Sequence, residues 1–94
     1  MRRSLAASVI LAGLTTPAQA QTENLEYRGL SWGDCLRVFR DYDATYKNKG
    51  GKLLGRINKQ RHQSVAYEID KELIVVECKR RRGGIFFVLT AAPL

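Results

Sequence analysis

The sequence predicts an α+β fold: one N-terminal helix packed on a three- or four-stranded antiparallel meander and tied to it by one disulfide. Three observations predict it. An apolar stripe at helical spacing runs from Cys35 to Tyr46, period-2 and β-branched runs follow from Ser64 onward, and each part holds one of the two cysteines.

Ahead of these elements, residues 1–20 (MRRSLAASVILAGLTTPAQA) have the form of a cleavable export signal. Arg2 and Arg3 give the positive start, Leu5 to Leu14 the apolar stretch, and Ala18-Gln19-Ala20 the small-x-small site before Gln21. As a membrane anchor the run is too short, since a span takes about 20 predominantly apolar residues, and Gly13, Thr15, Thr16 and Pro17 break it. The arginine pair suggests twin-arginine export only superficially, because it directly follows Met1 and nothing in the rest of the chain calls for export with a bound cofactor. No cysteine sits at the cleavage point to carry a lipid. The expectation is a bacterial periplasmic or secreted protein, residues 21–94, forming a single small domain with no transmembrane segment after cleavage.

So short a chain removes only about 60% of its extended surface from water on folding, so a covalent aid matters. In an oxidising compartment Cys35 and Cys78 are expected to pair, and closing the loop between them contributes ~4 kcal/mol in the chain-entropy model. Two cysteines and the single histidine, His62, are too few soft ligands for a closed zinc shell, so no metal and no cofactor are expected.

Residues 21–30 lack a sustained period and are expected to form an arm laid on the domain. Ser31 offers an N-cap, and Asp34 puts an acid in the first turn of a helix. Cys35, Phe39, Tyr42 and Tyr46, widened by Leu36 and Val38, form its apolar stripe, while Arg37, Arg40, Asp41 and Asp43 take the remaining surface. Asn48, Gly50 and Gly51 end the helix near Lys47. Residues 52–61 are ambiguous: Leu53, Leu54 and Ile57 fit a helical turn, Gly55 weakens either reading, and strand or extended chain is preferred. Val65, Tyr67 and Ile69 then alternate with polar and small residues over Ser64 to Asp70, the period of a half-buried strand. Glu72 to Lys79 is a denser β-branched run, expected at the centre of the sheet. Ile85 to Thr90 is a further strand, reached through a hairpin at Arg81-Arg82-Gly83-Gly84.

Strand parity ties these elements together. Ile74, Val76 and Cys78 share one face, so a Cys35–Cys78 bond would clamp the helix stripe onto it. Leu73, Val75 and Glu77 share the other, whose apolar residues need cover from the arm, the 52–57 segment or another subunit.

The chain carries 16 Lys and Arg against 9 Asp and Glu, a net charge of +7; without Arg2 and Arg3 the balance is 14 against 9. An excess of cations favours anionic partners, which in a cell envelope are lipid headgroups, lipopolysaccharide phosphates, acidic glycans or acidic protein faces. Nucleic acid is a weaker candidate there. The run Lys79, Arg80, Arg81 and Arg82 is the most conspicuous polar feature: placed on a hairpin, it would grip phosphate or carboxylate, or simply remain solvated and discourage edge-to-edge aggregation. Lys49, Lys52 and Arg56, with Lys47, Lys59 and Arg61, form a second basic group that joins the first only if both face one way.

Other motifs carry less. Lys49-Gly50-Gly51-Lys52 lacks the GxxxxGK[ST] spacing of a phosphate loop. His62 lies in a polar run and is expected in solvent, with no nucleophile evident beside it; the acids Glu68, Asp70, Glu72 and Glu77 alternate with apolar residues, and the Glu68 and Asp70 pair, near a turn, is expected to face water. Trp32 at the helix start suits either the core or stacking on a ligand. The reading is thus a non-catalytic, exported basic binding module that docks on an anionic envelope component or an acidic protein partner. Its alternatives are an accessory subunit or homodimer joined through the apolar sheet face, and a small secreted nuclease using Arg, Lys and His62.

Overall fold

A computed structural model describes residues 22–94; the export signal proposed at residues 1–20 lies outside the described residues. The elements are β1 (Glu23–Arg28), α1 (Trp32–Asn48), β2 (Lys52–Lys59), β3 (His62–Ile69), β4 (Glu72–Arg81) and β5 (Gly84–Pro93). The five strands form one antiparallel sheet in the order β1-β5-β4-β3-β2, with α1 packed on one face. The α+β class and the disulfide are as the sequence predicts, and β4 is central as expected. Five strands replace the three or four anticipated, because residues 52–59 pair with β3 and the expected N-terminal arm pairs as an edge strand with β5.

Helix α1 starts where its cap dictates. The Ser31 hydroxyl accepts from the Asp34 N–H at 3.1 Å, satisfying one donor that the helix leaves open. At the other end Gly50, at φ +84°, takes the left-handed conformation that stops the helix at low steric cost. Asp70 and Lys71, also at positive φ, supply the backbone twist that a tight β3–β4 hairpin needs. Strand β2 carries a bulge between Leu53 and Gly55, so its two adjacent leucines do not follow a strict alternation.

The core lies between α1 and the sheet: Cys35 and Phe39 from the helix, Val65 and Tyr67 from β3, Ile74, Val76 and Cys78 from β4, and Phe87 from β5. Parity works as anticipated, since Ile74, Val76 and Cys78 all face the helix. The Cys35–Cys78 disulfide spans Cα atoms 6.0 Å apart, and both residues are fully buried. Phe87 stacks on Tyr27 and Tyr42 with ring centroids 6.0 and 5.4 Å away, so β1, β5 and the helix meet at one aromatic cluster. Only two helix residues are fully buried, while Trp32, Leu36, Val38, Tyr42 and Tyr46 pack half-buried around them. The helix is therefore held by a narrow apolar contact plus a covalent link.

The opposite face of the sheet is not covered by any described element: the arm and the 52–59 segment lie at the two edges instead of across it. Cross-strand register arranges this open face in rows. Arg28, Phe86, Lys79, His62 and Lys59 form one row; Glu26, Val88, Glu77, Ser64 and Ile57 the next; Thr90 and Val75, then Ala92 and Leu73, continue towards the far end. Among the described residues no helix is long and apolar enough to cross a membrane.

Candidate functional site

The four cations at positions 79–82 do not share one tip. Pairing in β4 continues through Arg81, which sits opposite Gly84, so successive side chains still alternate between faces. Arg80 turns to the helix side, its guanidinium 4.5 Å from the centroid of Trp32, and its Nε is buried without a hydrogen-bond partner. Trp32 thereby has an internal role as a stacking platform for Arg80 beside the core. Lys79 lies on the open face, and Arg81 and Arg82 are exposed at the hairpin.

The second basic group is elsewhere. Lys49 caps the end of α1 with its ammonium 5.8 Å from the Tyr46 ring centroid, and Lys52 opens β2 opposite Glu68, at the other end of the sheet from the β4–β5 hairpin. Arg56 faces the helix side and binds Asp43 with both terminal nitrogens, at 3.1 and 3.4 Å. The Tyr67 hydroxyl donates to the same carboxylate. Burial opposes the charge of Asp43, but the bonds from Tyr67 and Arg56, with the positive charges of Arg56 and Lys47, outweigh it and hold the carboxyl below its ordinary value. The bond to Asp43 raises Arg56 further, while burial and then the Asp43 bond push the Tyr67 hydroxyl up. This cluster clips the last turns of α1 to β2 and β3; Arg56 serves the fold there and is not presented with the hairpin cations.

A concave groove of about 630 Å³ opens on the uncovered face, against the β4–β5 hairpin. Its floor is Phe86 and Val88, its sides are set by β1 and β4, and Arg81, Arg82 and Gly83 form its end wall. The volume lies within the roughly 300–1,000 Å³ usual for small-ligand sites. Arg28 extends over Phe86, 5.4 Å from the ring centroid, and pairs with Glu26 at 3.3 Å. Lys79 pairs with Glu77 at 3.5 Å.

Comparison with family models, with curated proteins and with solved structures finds no match for this chain. The chemistry of the groove is therefore read from its own residues.

Glu77 is half-buried and engaged twice, since its other carboxylate oxygen lies 2.8 Å from His62 Nε2. His62 is therefore not the freely solvated group the sequence suggests. The interaction runs diagonally across β3 and β4, and it exists because β3 begins at His62, two residues earlier than its alternation indicates. Only the register reveals it. With Glu26 and Glu77 each occupied by a basic partner, Arg81 and Arg82 are the groove cations that form no ion pair among the described residues. The groove thus has one cationic end, an apolar floor, and a neutral polar end where the Thr90 hydroxyl donates to Asn24 Oδ1 at 2.8 Å.

Proposed function

We propose that this protein is an exported, non-catalytic binding module that docks on an anionic component of the cell envelope through the β4–β5 hairpin. The observation that carries this reading is the placing of Arg81 and Arg82, without ion-pair partners among the described residues, beside Arg28 and Lys79 around one groove. Guanidinium groups hold phosphate or carboxylate oxygens by paired hydrogen bonds, and two of them at one rim make that end attractive to polyanions. The export form of residues 1–20 and the excess of cations support the compartment and the class of partner.

Salt titration of binding to anionic vesicles, lipopolysaccharide or acidic glycans tests the reading. Replacing Arg81 and Arg82 by Ala is expected to weaken binding strongly and to flatten its salt dependence. Arg80→Ala supplies the control that the alternation of β4 provides: it acts on the packing against Trp32 and leaves binding largely intact. Binding that ignores ionic strength, or that survives the double replacement, removes the proposal.

A second reading, as an accessory subunit or homodimer, is supported by the uncovered apolar residues Leu73, Val75 and Val88 on the open face. A monomeric mass at high concentration with no co-purifying partner counts against it.

A further inference from the structure

We infer that the open-face groove binds a single molecule of a lipid bearing a phosphate monoester headgroup, with the phosphate against Arg81 and Arg82 and the chain along Val88 and Val75. This rests on the envelope-binding reading and names the ligand class of the same hairpin.

Charge selects the headgroup. Of the charged groups lining the groove, Arg28 is matched by Glu26 and Lys79 by Glu77, leaving Arg81 and Arg82 as two uncompensated guanidinium groups at one end. A phosphate monoester carries about −1.5 to −2 charges near neutral pH, enough to answer both, whereas a phosphodiester or a carboxylate brings a single charge. At the tip the Phe86 ring lies against Gly83, 3.5 Å from where a Cβ would stand, so the apolar floor reaches right up to the cationic end.

The floor selects the rest of the molecule. Next to the cationic end lie Phe86 and Val88, both half-buried and both on the solvent side of the sheet. The apolar surface does not stop at the groove: the register carries it from Val88 to Val75 and on to Leu73 and Ala92. From the row of Lys79 to the row of Leu73 is six residues of β4, about 20 Å at the usual strand rise, which accommodates the better part of an acyl chain laid flat. Thr90 and Asn24 satisfy each other at the β1 side, and their bond limits the strip laterally. A free phosphate would use only the rim and leave this strip in water; a flat anionic surface would use only the exposed tip. An amphiphile lifted partly into the groove uses both.

The experiment uses the protein recovered from an exporting bacterial host, with its N-terminus determined and its disulfide intact. Its binding is measured to phosphatidylcholine vesicles containing phosphatidic acid and, separately, to vesicles containing phosphatidylglycerol at matched surface charge. A third arm titrates a short-chain phosphatidic acid below its micelle concentration, and a fourth titrates inorganic phosphate alone. The expected result is at least ~10-fold tighter binding to phosphatidic acid than to charge-matched phosphatidylglycerol, a difference of about 1.4 kcal/mol. Saturable one-to-one binding of the short-chain lipid is expected too, with inorganic phosphate far weaker. Arg82→Ala, at an exposed turn position that cannot unsettle the core, removes the preference, and Val88→Glu weakens the short-chain lipid by at least ~10-fold while circular dichroism stays unchanged. Should Val88→Glu fail to fold, Val88→Thr, which keeps the branched shape of the strand residue, takes its place with a smaller loss in the same direction.

Equal binding to the two charge-matched vesicles overturns this inference and leaves the general envelope-binding proposal standing. Inorganic phosphate as effective as the short-chain lipid also overturns it, because the apolar strip is then idle. Absence of binding to either vesicle overturns the inference, and absence of binding to vesicles, lipopolysaccharide and acidic glycans alike removes both.

Discussion

Breaking the disulfide while leaving the two sulfurs in place should cost this protein about a third of its stability or more. The bond joins residues 43 positions apart and links α1 to the central strand of the sheet. For a loop of that length the chain-entropy model gives a stabilisation of about 4 kcal/mol, arising because the bridged unfolded chain has fewer conformations to lose. A domain of this size is stable by only about 4–11 kcal/mol in total, at roughly 0.05–0.15 kcal/mol per residue. Beside the bond, the helix relies on its two fully buried residues, Cys35 and Phe39, on the half-buried residues around them and on the Asp43 cluster. Urea unfolding followed by circular dichroism, with and without a strong reductant, measures the difference directly. With an m-value near ~1 kcal/mol/M for so short a chain, the midpoint should fall by about 4 M. A midpoint shift below about 1 M at unchanged m-value would refute the reasoning, because the covalent link would then not be what limits the unfolded chain.

The Asp43 cluster predicts acid sensitivity of known sign. The Asp43 carboxyl is held below the ordinary carboxylate value, so its contribution is fully present above that value and is lost as pH falls through the lower folded one. Urea midpoints measured across that range should decline, and Asp43→Asn should flatten the decline. Tyr67→Phe, which removes one donor to that carboxylate, should cost about 1 kcal/mol at neutral pH in the same assay. Phe87→Ala empties the centre of the aromatic cluster and should cost about 3–5 kcal/mol, with loss of near-ultraviolet signal as Tyr27 and Tyr42 lose their common partner. Gly51→Ala should destabilise the protein and loosen the α1–β2 connection, since a Cβ there would lie 2.8 Å from the Tyr46 carbonyl oxygen; an unchanged melting temperature would contradict that steric reading.

The helix was legible because every signal at its start and end is local. Ser31, Asp34, the stripe from Cys35 to Tyr46 and the glycines after Asn48 act within a few residues of one another, and α1 runs as they imply. The three C-terminal strands were legible for the same reason, although β3 starts two residues earlier, and β5 starts one residue earlier and ends three later, than the sequence marks. The N-terminal strand was not. Its signal, Leu25 and Tyr27 between Asn24, Glu26 and Arg28, is a short alternation at an edge, and all its residues remain exposed. In β2 the bulge beside Leu54 disrupts the period that would have marked the strand.

For the candidate site the division is sharper. The chain's own order supplied the cations at positions 79–82, but treating them as a cluster at one tip presumed that pairing ended before them. It ends after Arg81, and so Arg80 packs on Trp32 while Lys79 meets Glu77 on the opposite side. Likewise nothing near His62 in the chain announces Glu77, or near Arg56 announces Asp43.

By itself the sequence determined the α+β class, the extent of the helix, the pairing of the two cysteines and the residues that face inward from the central strand, because period and cap chemistry are properties of neighbouring residues. Tertiary structure alone decided the fifth strand, the split of the basic run between two faces, the His62–Glu77–Lys79 contacts and the groove. Each of these depends on register between strands distant in the chain, and a shift of one residue would send every one of those side chains to the other side of the sheet.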